Sequence, residues 1–154
     1  MQGRRAIVCA SSRGLGRACA EALAAEGVDL VLNARSEAAL ASTAAALKAD
    51  YKVKVTAVAA DIATAAGRDA VLAACPDPDI LVNNAGGPAP GSLAKYTEED
   101  WTKAIEGNLR APAALMAAVL DGMAGRGFGR VVNITSSVVR HPIDVRSFLD
   151  DVAH

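Results

Sequence analysis

Two glycines that follow directly on an apolar run form the first candidate for chemistry in this chain. The run 5–10 leads into Ser11-Ser12-Arg13-Gly14-Leu15-Gly16, and an alanine-rich helical pattern comes next. Glycine lets the backbone approach a ligand closely, while the first turn of a helix offers unpaired N–H groups and a positive dipole end. This order predicts a site for the phosphates of a nucleotide. Because Ala10 fills the first slot of the usual three-glycine pattern, a tight strand-to-helix connection without a ligand is the alternative.

Polar and small residues also follow four later apolar segments. They are Asn33-Ala34-Arg35, Asp61-Ile62, Asn83-Asn84-Ala85-Gly86 and Ser136. Ligands of an open parallel sheet bind beyond the carboxyl ends of its strands, so five such segments indicate one shared site. Structural alternatives remain: the asparagines could bond backbone groups at a strand end, Asp61 could cap a helix, and Ser136 could be an ordinary turn hydroxyl.

The elements that must hold these residues alternate strictly between strand and helix patterns. Strands are predicted for the run that begins at Arg5 and for residues 29–33, 53–60, 79–83 and 130–135, and helices for residues 15–26, 37–50, 63–74 and 97–124. Such alternation predicts an α/β fold, a Rossmann-like doubly wound parallel sheet of about five strands with flanking helices.

Pro112 lies inside the last and longest predicted helix. Proline has no N–H, so the carbonyl of Asn108 loses its usual helical partner and the helix is expected to kink there. The freed carbonyl could hold a water molecule. A plain proline kink is the alternative.

Composition excludes several function classes. The chain has 154 residues, 52% of them hydrophobic, and a formal net charge of −1. One core can therefore form, and neither nucleic acid nor an anionic membrane is an expected partner. Cys9, Cys19 and Cys75 lack the spacing of a metal site and predict reduced, buried thiols, with no metal. With no leader and no apolar run of about 18 residues, we expect a cytoplasmic protein.

The glycine turn and Asn83-Asn84-Ala85-Gly86 resemble those of the classical short-chain dehydrogenase/reductases, and within them the β-ketoacyl-carrier-protein reductases. The resemblance predicts an incomplete NADP-binding domain over residues 1–143 and a divergent tail over residues 144–154. It implies an oxidoreductase that acts on a small carbonyl or alcohol substrate, as a homo-oligomer. An epimerase-type enzyme of the extended subfamily fits the glycine spacing less well.

The resemblance also assigns roles to individual residues. The phosphate contacts fall on Ser12, Arg13, Gly14, Leu15 and Gly16, the adenine contacts on Asp61 and Ile62, and the nicotinamide ribose contacts on Asn84, Ala85 and Gly86. Asn108 and Ser136 would be two of four active-site residues, with Ser137 as the substitute if the register slips by one. The serine would polarise the substrate carbonyl.

The choice of cofactor depends on the residues after the second predicted strand. An NAD site places a carboxylate there for the ribose 2′-hydroxyl, whereas this chain has Ala34, followed by Arg35 and faced by Arg13. Guanidinium groups bind phosphate in a bidentate manner, so these residues predict NADP(H).

One part of the family pattern is missing from this sequence. The family has Tyr-x-x-x-Lys after the serine, but the only tyrosines here are Tyr51 and Tyr96 and the last lysine is Lys103. We therefore expect this chain to hold the cofactor-binding part of such an enzyme and to be inactive alone. The alternative is a non-catalytic nucleotide-binding module or oligomer partner that has lost this chemistry.

Overall fold

The computed structural model describes residues 1–87 and 95–136. Within them five strands form one sheet: β1 (Arg5–Val8), β2 (Asp29–Ala34), β3 (Val55–Ala59), β4 (Ile80–Asn83) and β5 (Arg130–Asn133). Every neighbouring pair is parallel, in the order β3-β2-β1-β4-β5. The sheet is therefore doubly wound, as the alternating pattern predicts. The strand order reverses at β1, and ligands of such sheets bind at this point.

Five α-helices of the described chain flank the sheet, and polar side chains cap three of them. The five helices are α1 (Gly14–Ala25), α2 (Glu37–Tyr51), α3 (Ala65–Ala74), α4 (Glu98–Ile105) and α5 (Ala111–Gly125). Side-chain oxygens of Ser36, Thr64 and Thr97 accept hydrogen bonds from the first turns of α2, α3 and α4. Gly27 follows α1 with a φ of +77°, a conformation that ends helices and favours glycine.

Successive residues of β1 enter two different apolar layers. Ala6 and Val8 pack with buried residues of α1 and α2, whereas Ile7 and Cys9 pack with buried residues of α3 and α5. Strands that are covered on both faces need apolar side chains in succession, which explains the nearly continuous apolar runs of β1, β2 and β4.

The long helix predicted for residues 97–124 is divided in three. A π-helical segment, Glu106–Arg110, separates α4 from α5, and Pro112 is the second residue of α5. This wider turn is the local distortion expected near a proline. The side-chain amide of Asn108, in the π-helical segment, donates to the Ala104 carbonyl of α4 at 3.0 Å.

Asp79 links the segments before β4 and β1 at the amino edge of the sheet. Its carboxylate accepts from the Arg4 guanidinium and from the Arg5 N–H, both at 2.9 Å. Burial alone would raise the pKa of Asp79, but the hydrogen bonds from Arg5 and Arg4 outweigh it and hold the pKa below its ordinary value. The Arg4 guanidinium also lies 3.7 Å from the centre of the Phe128 ring.

In residues 1–87 and 95–136, no helix has the length and apolar character needed to cross a membrane.

Candidate functional site

The first turn of α1 offers uncapped backbone donors at the carboxyl end of β1. Arg13 occupies the N-cap position in an extended conformation, and no side chain caps this helix in the described structure. The first intrahelical bond runs from the Arg17 N–H to the Arg13 carbonyl at 3.3 Å. The N–H groups of Gly14, Leu15 and Gly16 precede it, so they have no partner inside the helix. These donors and the helix dipole make a cradle for an anion.

Gly16 is required by a close approach of three segments. A Cβ at this position would overlap the Ala10 carbonyl oxygen and would lie 2.7 Å from the Asn84 amide nitrogen. The Asn84 amide donates to the same carbonyl at 3.4 Å. Ala10 has a φ of +47°, so the alanine in the first glycine slot adopts a backbone conformation that favours glycine. The ends of β1 and β4 therefore meet beneath the turn.

Asn33 ties the turn to two more strand ends. Its backbone carbonyl accepts from the Ser11 N–H at 2.9 Å and from the Ser11 hydroxyl at 3.3 Å. Its amide donates to the carbonyls of Val58 at 3.0 Å and Ala60 at 2.9 Å. The Asn33 backbone thus links the end of β2 to the end of β1, and its buried side chain links β2 to the end of β3.

Arg13 and Arg35 lie close to this junction along the chain. Each is two residues from the hydrogen bond between Ser11 and Asn33, and each is exposed. Neither forms an ion pair with a carboxylate of residues 1–87 or 95–136. Ala34 is buried, so the position expected for an NAD-type carboxylate presents only a methyl group. Both guanidiniums are available to an anion.

Asp61 forms a turn before α3 and does not cap that helix. Its carboxylate accepts from the Ala63 N–H at 3.0 Å, and its carbonyl accepts from the Thr64 hydroxyl at 2.8 Å. The N-cap of α3 is Thr64, whose hydroxyl accepts from the Gly67 N–H at 3.0 Å. The alternative interpretation of Asp61 as the helix cap is therefore wrong. The exposed Asp61 and half-buried Ile62 lie at the carboxyl end of β3.

The two asparagines at the carboxyl end of β4 have different partners. Asn84 bonds the Ala10 backbone, as described above, whereas the Asn83 amide donates to the Asn133 side-chain oxygen at 2.8 Å. The Asn83 side-chain oxygen is buried and has no hydrogen-bond partner among the described residues. Ala85 and Gly86 follow. Among the described residues, and apart from its chain neighbours, no heavy atom lies within 4 Å of where a Gly86 Cβ would be.

Cys9 lies under the same strand end as a neutral thiol. Burial raises its pKa to about 12, although a hydrogen bond from the Asn84 backbone lowers it in part. Burial also raises the pKa of the Cys75 thiol. All three cysteines are free, and Cys19 is half-buried. The described residues contain no group of three His, Cys, Asp or Glu side chains that could hold a metal ion.

The two proposed active-site residues, Ser136 and Asn108, lie in separate parts of the chain. Ser136 is exposed three residues after β5, and Asn108 is exposed in the π-helical segment. Ser137 and the region of the expected Tyr-x-x-x-Lys pattern lie outside the described residues.

Sequence reasoning missed two residues that hold the site together. Asn133 receives the Asn83 amide, and Thr43 of α2 donates its hydroxyl to the Ser12 carbonyl at 3.0 Å. One signal was available for Thr43, because it is the polar member of a buried face otherwise formed by Leu40, Ala44 and Leu47.

Comparison with known proteins gives consistent matches. A family model described as short chain dehydrogenase matches residues 4–148. The chain is 33% identical over 143 residues to the uncharacterized oxidoreductase YvaG of Bacillus subtilis, covering 92% of this chain and 54% of that protein. It is 35% identical over 142 residues to the 3-oxoacyl-acyl-carrier-protein reductase FabG of Vibrio cholerae, covering 90% and 57%.

A solved structure agrees with these sequence matches. The L-sorbose reductase of Gluconobacter frateurii, crystallised with NADPH and L-sorbose, superposes with a TM-score of 0.87 at 32% identity. The match covers 99% of this chain and 60% of that one. The chain thus spans between about half and three-fifths of the length of these relatives.

Proposed function

This chain belongs to the short-chain dehydrogenase family, and from this membership we propose that it is the NADP(H)-binding part of an oxidoreductase that interconverts a carbonyl and an alcohol. The bound nicotinamide would supply the hydride when the carbonyl is reduced and accept it when the alcohol is oxidised. The substrate would be a small carbonyl or alcohol compound. The three free cysteines are consistent with the cytoplasm as the place of action.

The uncapped first turn of α1 is the observation that carries this proposal. Its N–H groups lie where the strand order reverses, next to a glycine that no larger residue could replace without a clash. Ser12, Arg13, Gly14, Leu15 and Gly16 would hold the cofactor phosphates. Adenine would lie beside Asp61 and Ile62. The nicotinamide ribose would lie along the segment Asn84-Ala85-Gly86.

The exposed guanidiniums of Arg13 and Arg35 support NADP(H) as the cofactor. Both would engage the 2′-phosphate, which NAD(H) lacks, and the L-sorbose reductase relative was crystallised with NADPH. Replacing Arg35 by Ala should weaken NADPH binding about tenfold, as for a hydrogen bond to a charged group, and leave NADH binding nearly unchanged. Fluorescence titration with both cofactors measures this, with Arg126→Ala as the control at an exposed arginine that donates to the Pro78 carbonyl before β4, at the opposite edge of the sheet. Equal affinity of the unmodified chain for the two cofactors would contradict the assignment.

The chemical step needs more groups than this chain is proposed to supply. Ser136 would polarise the substrate carbonyl, and Asn108 would support a proton relay through water. Residues 137–154 contain neither Tyr nor Lys, so the acid that protonates the carbonyl oxygen in the family pattern has no counterpart there. A well-placed general acid contributes about 10²–10⁴-fold to the rate. We therefore propose that the chain as given binds the adenosine half of NADP(H) without turnover.

The absence of Tyr and Lys from residues 137–154 also supports a second candidate function. A nucleotide-binding module, or an inactive partner in an oligomer, would keep the cofactor cradle and need no proton donor. In either role the chain would bind NADP(H) and leave any substrate unchanged. The two candidates differ only in whether this cradle takes part in a catalytic assembly.

Turnover and binding measured on one sample test both candidates. The purified, mass-verified chain is titrated with NADPH and then incubated with NADPH and a panel of ketones and β-ketoacyl thioesters while cofactor absorbance is followed. We expect saturable binding and no saturable turnover. Turnover above background would show that another residue or another chain supplies the acid, and would reject the inactive module. A chain that binds no NADPH would contradict both candidates.

A further inference from the structure

Thr43 connects a helix to the proposed phosphate turn. It is 2% exposed on a face of α2 that is otherwise apolar. Its hydroxyl donates to the Ser12 carbonyl at 3.0 Å, across 31 positions of sequence. Burying a hydroxyl is unfavourable unless it is hydrogen-bonded, so this bond determines where the turn can lie relative to α2. A helix that follows β2 is thereby attached to the turn that follows β1.

The two elements joined by Thr43 carry the two proposed phosphate-binding arginines. Arg13 is the next residue after Ser12, and Arg35 directly precedes Ser36, the N-cap of α2. Thr43 lies seven positions after Ser36 along the helix, a rigid length of about 10 Å. The Ser11 N–H bond to the Asn33 carbonyl is the other link between these segments. The turn is thus held at Ser11 by β2 and at Ser12 by α2.

We propose that Thr43 is a positioning residue for cofactor selection, which holds Arg13 in place relative to Arg35 so that both guanidiniums engage one 2′-phosphate. This inference rests on the proposed NADP(H) function. Thr43 acts through the Ser12 carbonyl and does not itself touch the cofactor. Shared binding of one phosphate requires placement to within about 0.5 Å, so a looser turn weakens this contact first. NADH has no 2′-phosphate and therefore gains little from the restraint.

The test removes the hydroxyl and compares two cofactors. Thr43→Val keeps the shape of the side chain but cannot donate to Ser12. We expect NADPH affinity to fall about fivefold, the factor that corresponds to one neutral hydrogen bond, and NADH affinity to change by less than about twofold. Thr43→Ser retains the hydroxyl and should keep the original ratio of the two affinities. Ser42→Ala removes an exposed hydroxyl from the same helix and is the matched control.

Thermal unfolding of the same variants separates cofactor selection from a purely structural bond. If Thr43→Val lowers the melting temperature but leaves the ratio of NADPH to NADH affinity unchanged, the inference is overturned. Thr43→Ala provides the same comparison if the valine variant does not fold. An unmodified chain that binds both cofactors equally also overturns it. An unmodified chain that binds neither contradicts the proposed function itself.

Discussion

Replacing Gly16 by Ala should destabilise the protein, although alanine is the better helix former. The new Cβ would overlap the Ala10 carbonyl oxygen and would lie 2.7 Å from the Asn84 amide nitrogen. Overpacking of this kind costs about 1–3 kcal/mol. Displacing the Asn84 amide from the Ala10 carbonyl would cost about 1 kcal/mol more. Alanine returns at most about 1 kcal/mol through helix propensity. The expected net loss in the free energy of unfolding is about 1–3 kcal/mol.

Urea unfolding followed by circular dichroism measures this loss, and NADPH titration measures its effect on the proposed site. The matched control is Gly125→Ala. Gly125 also lies in a helix, but in the described part of the chain no heavy atom outside its own helix backbone and chain neighbours lies within 4 Å of its Cβ position. That variant should be neutral or more stable by up to about 1 kcal/mol. If Gly16→Ala is as stable as Gly125→Ala, the close approach of turn and strand end described above is incorrect.

Two further predictions concern parts of the sheet outside the glycine turn. The pKa of Asp79 is held below its ordinary value, so the ionised carboxylate stabilises the folded protein above about pH 4. This contribution to the free energy of unfolding is lost as the pH falls through the folded-state pKa. Asp79→Asn should cost about 1–3 kcal/mol at pH 7 and remove this acid-side loss, which urea unfolding at several pH values would show; parallel pH profiles would contradict it. Val132 is 46% exposed on β5, the last strand of the described sheet, and exposed apolar edges pair with other chains. We expect self-association that Val132→Lys reduces, whereas light scattering of a monomer at high concentration would disprove this expectation.

The order and type of the elements could be predicted because the sheet is covered on both faces. Continuous apolar runs then indicate the strands, and apolar residues at helical spacing indicate the helices that cover the two faces of the sheet. The ends of strands were less predictable because a strand extends only as far as its partner. A strand was predicted for residues 130–135, but β5 ends at Asn133, which pairs with Asn83 at the end of β4. Likewise β3 begins at Val55, where it pairs with Leu30 of β2.

The candidate site could be located from the sequence, but its internal bonds could not. Parallel strands bring their carboxyl ends to one edge, so the strand-end segments could be grouped without knowing any contact. The bond from Thr43 to Ser12 spans 31 positions, and the bond between Asn83 and Asn133 spans 50. Such pairs depend on how whole elements are placed relative to one another, and local sequence patterns carry no information on that placement.

The central position of β1 has a consequence for how the chain is made. Its register with β2 joins residues 24 positions apart, such as Arg5 and Asp29, whereas its register with β4 joins Ala6 to Ile80, 74 positions apart. During synthesis the proposed adenosine side of the cradle could assemble as soon as β3 has left the ribosome. One edge of β1 would stay unpaired until β4 follows, since non-local pairing must wait for its partner. A pause in translation between β3 and β4 would therefore leave a half-formed cradle with an open strand edge, the state in which a chaperone would be most useful.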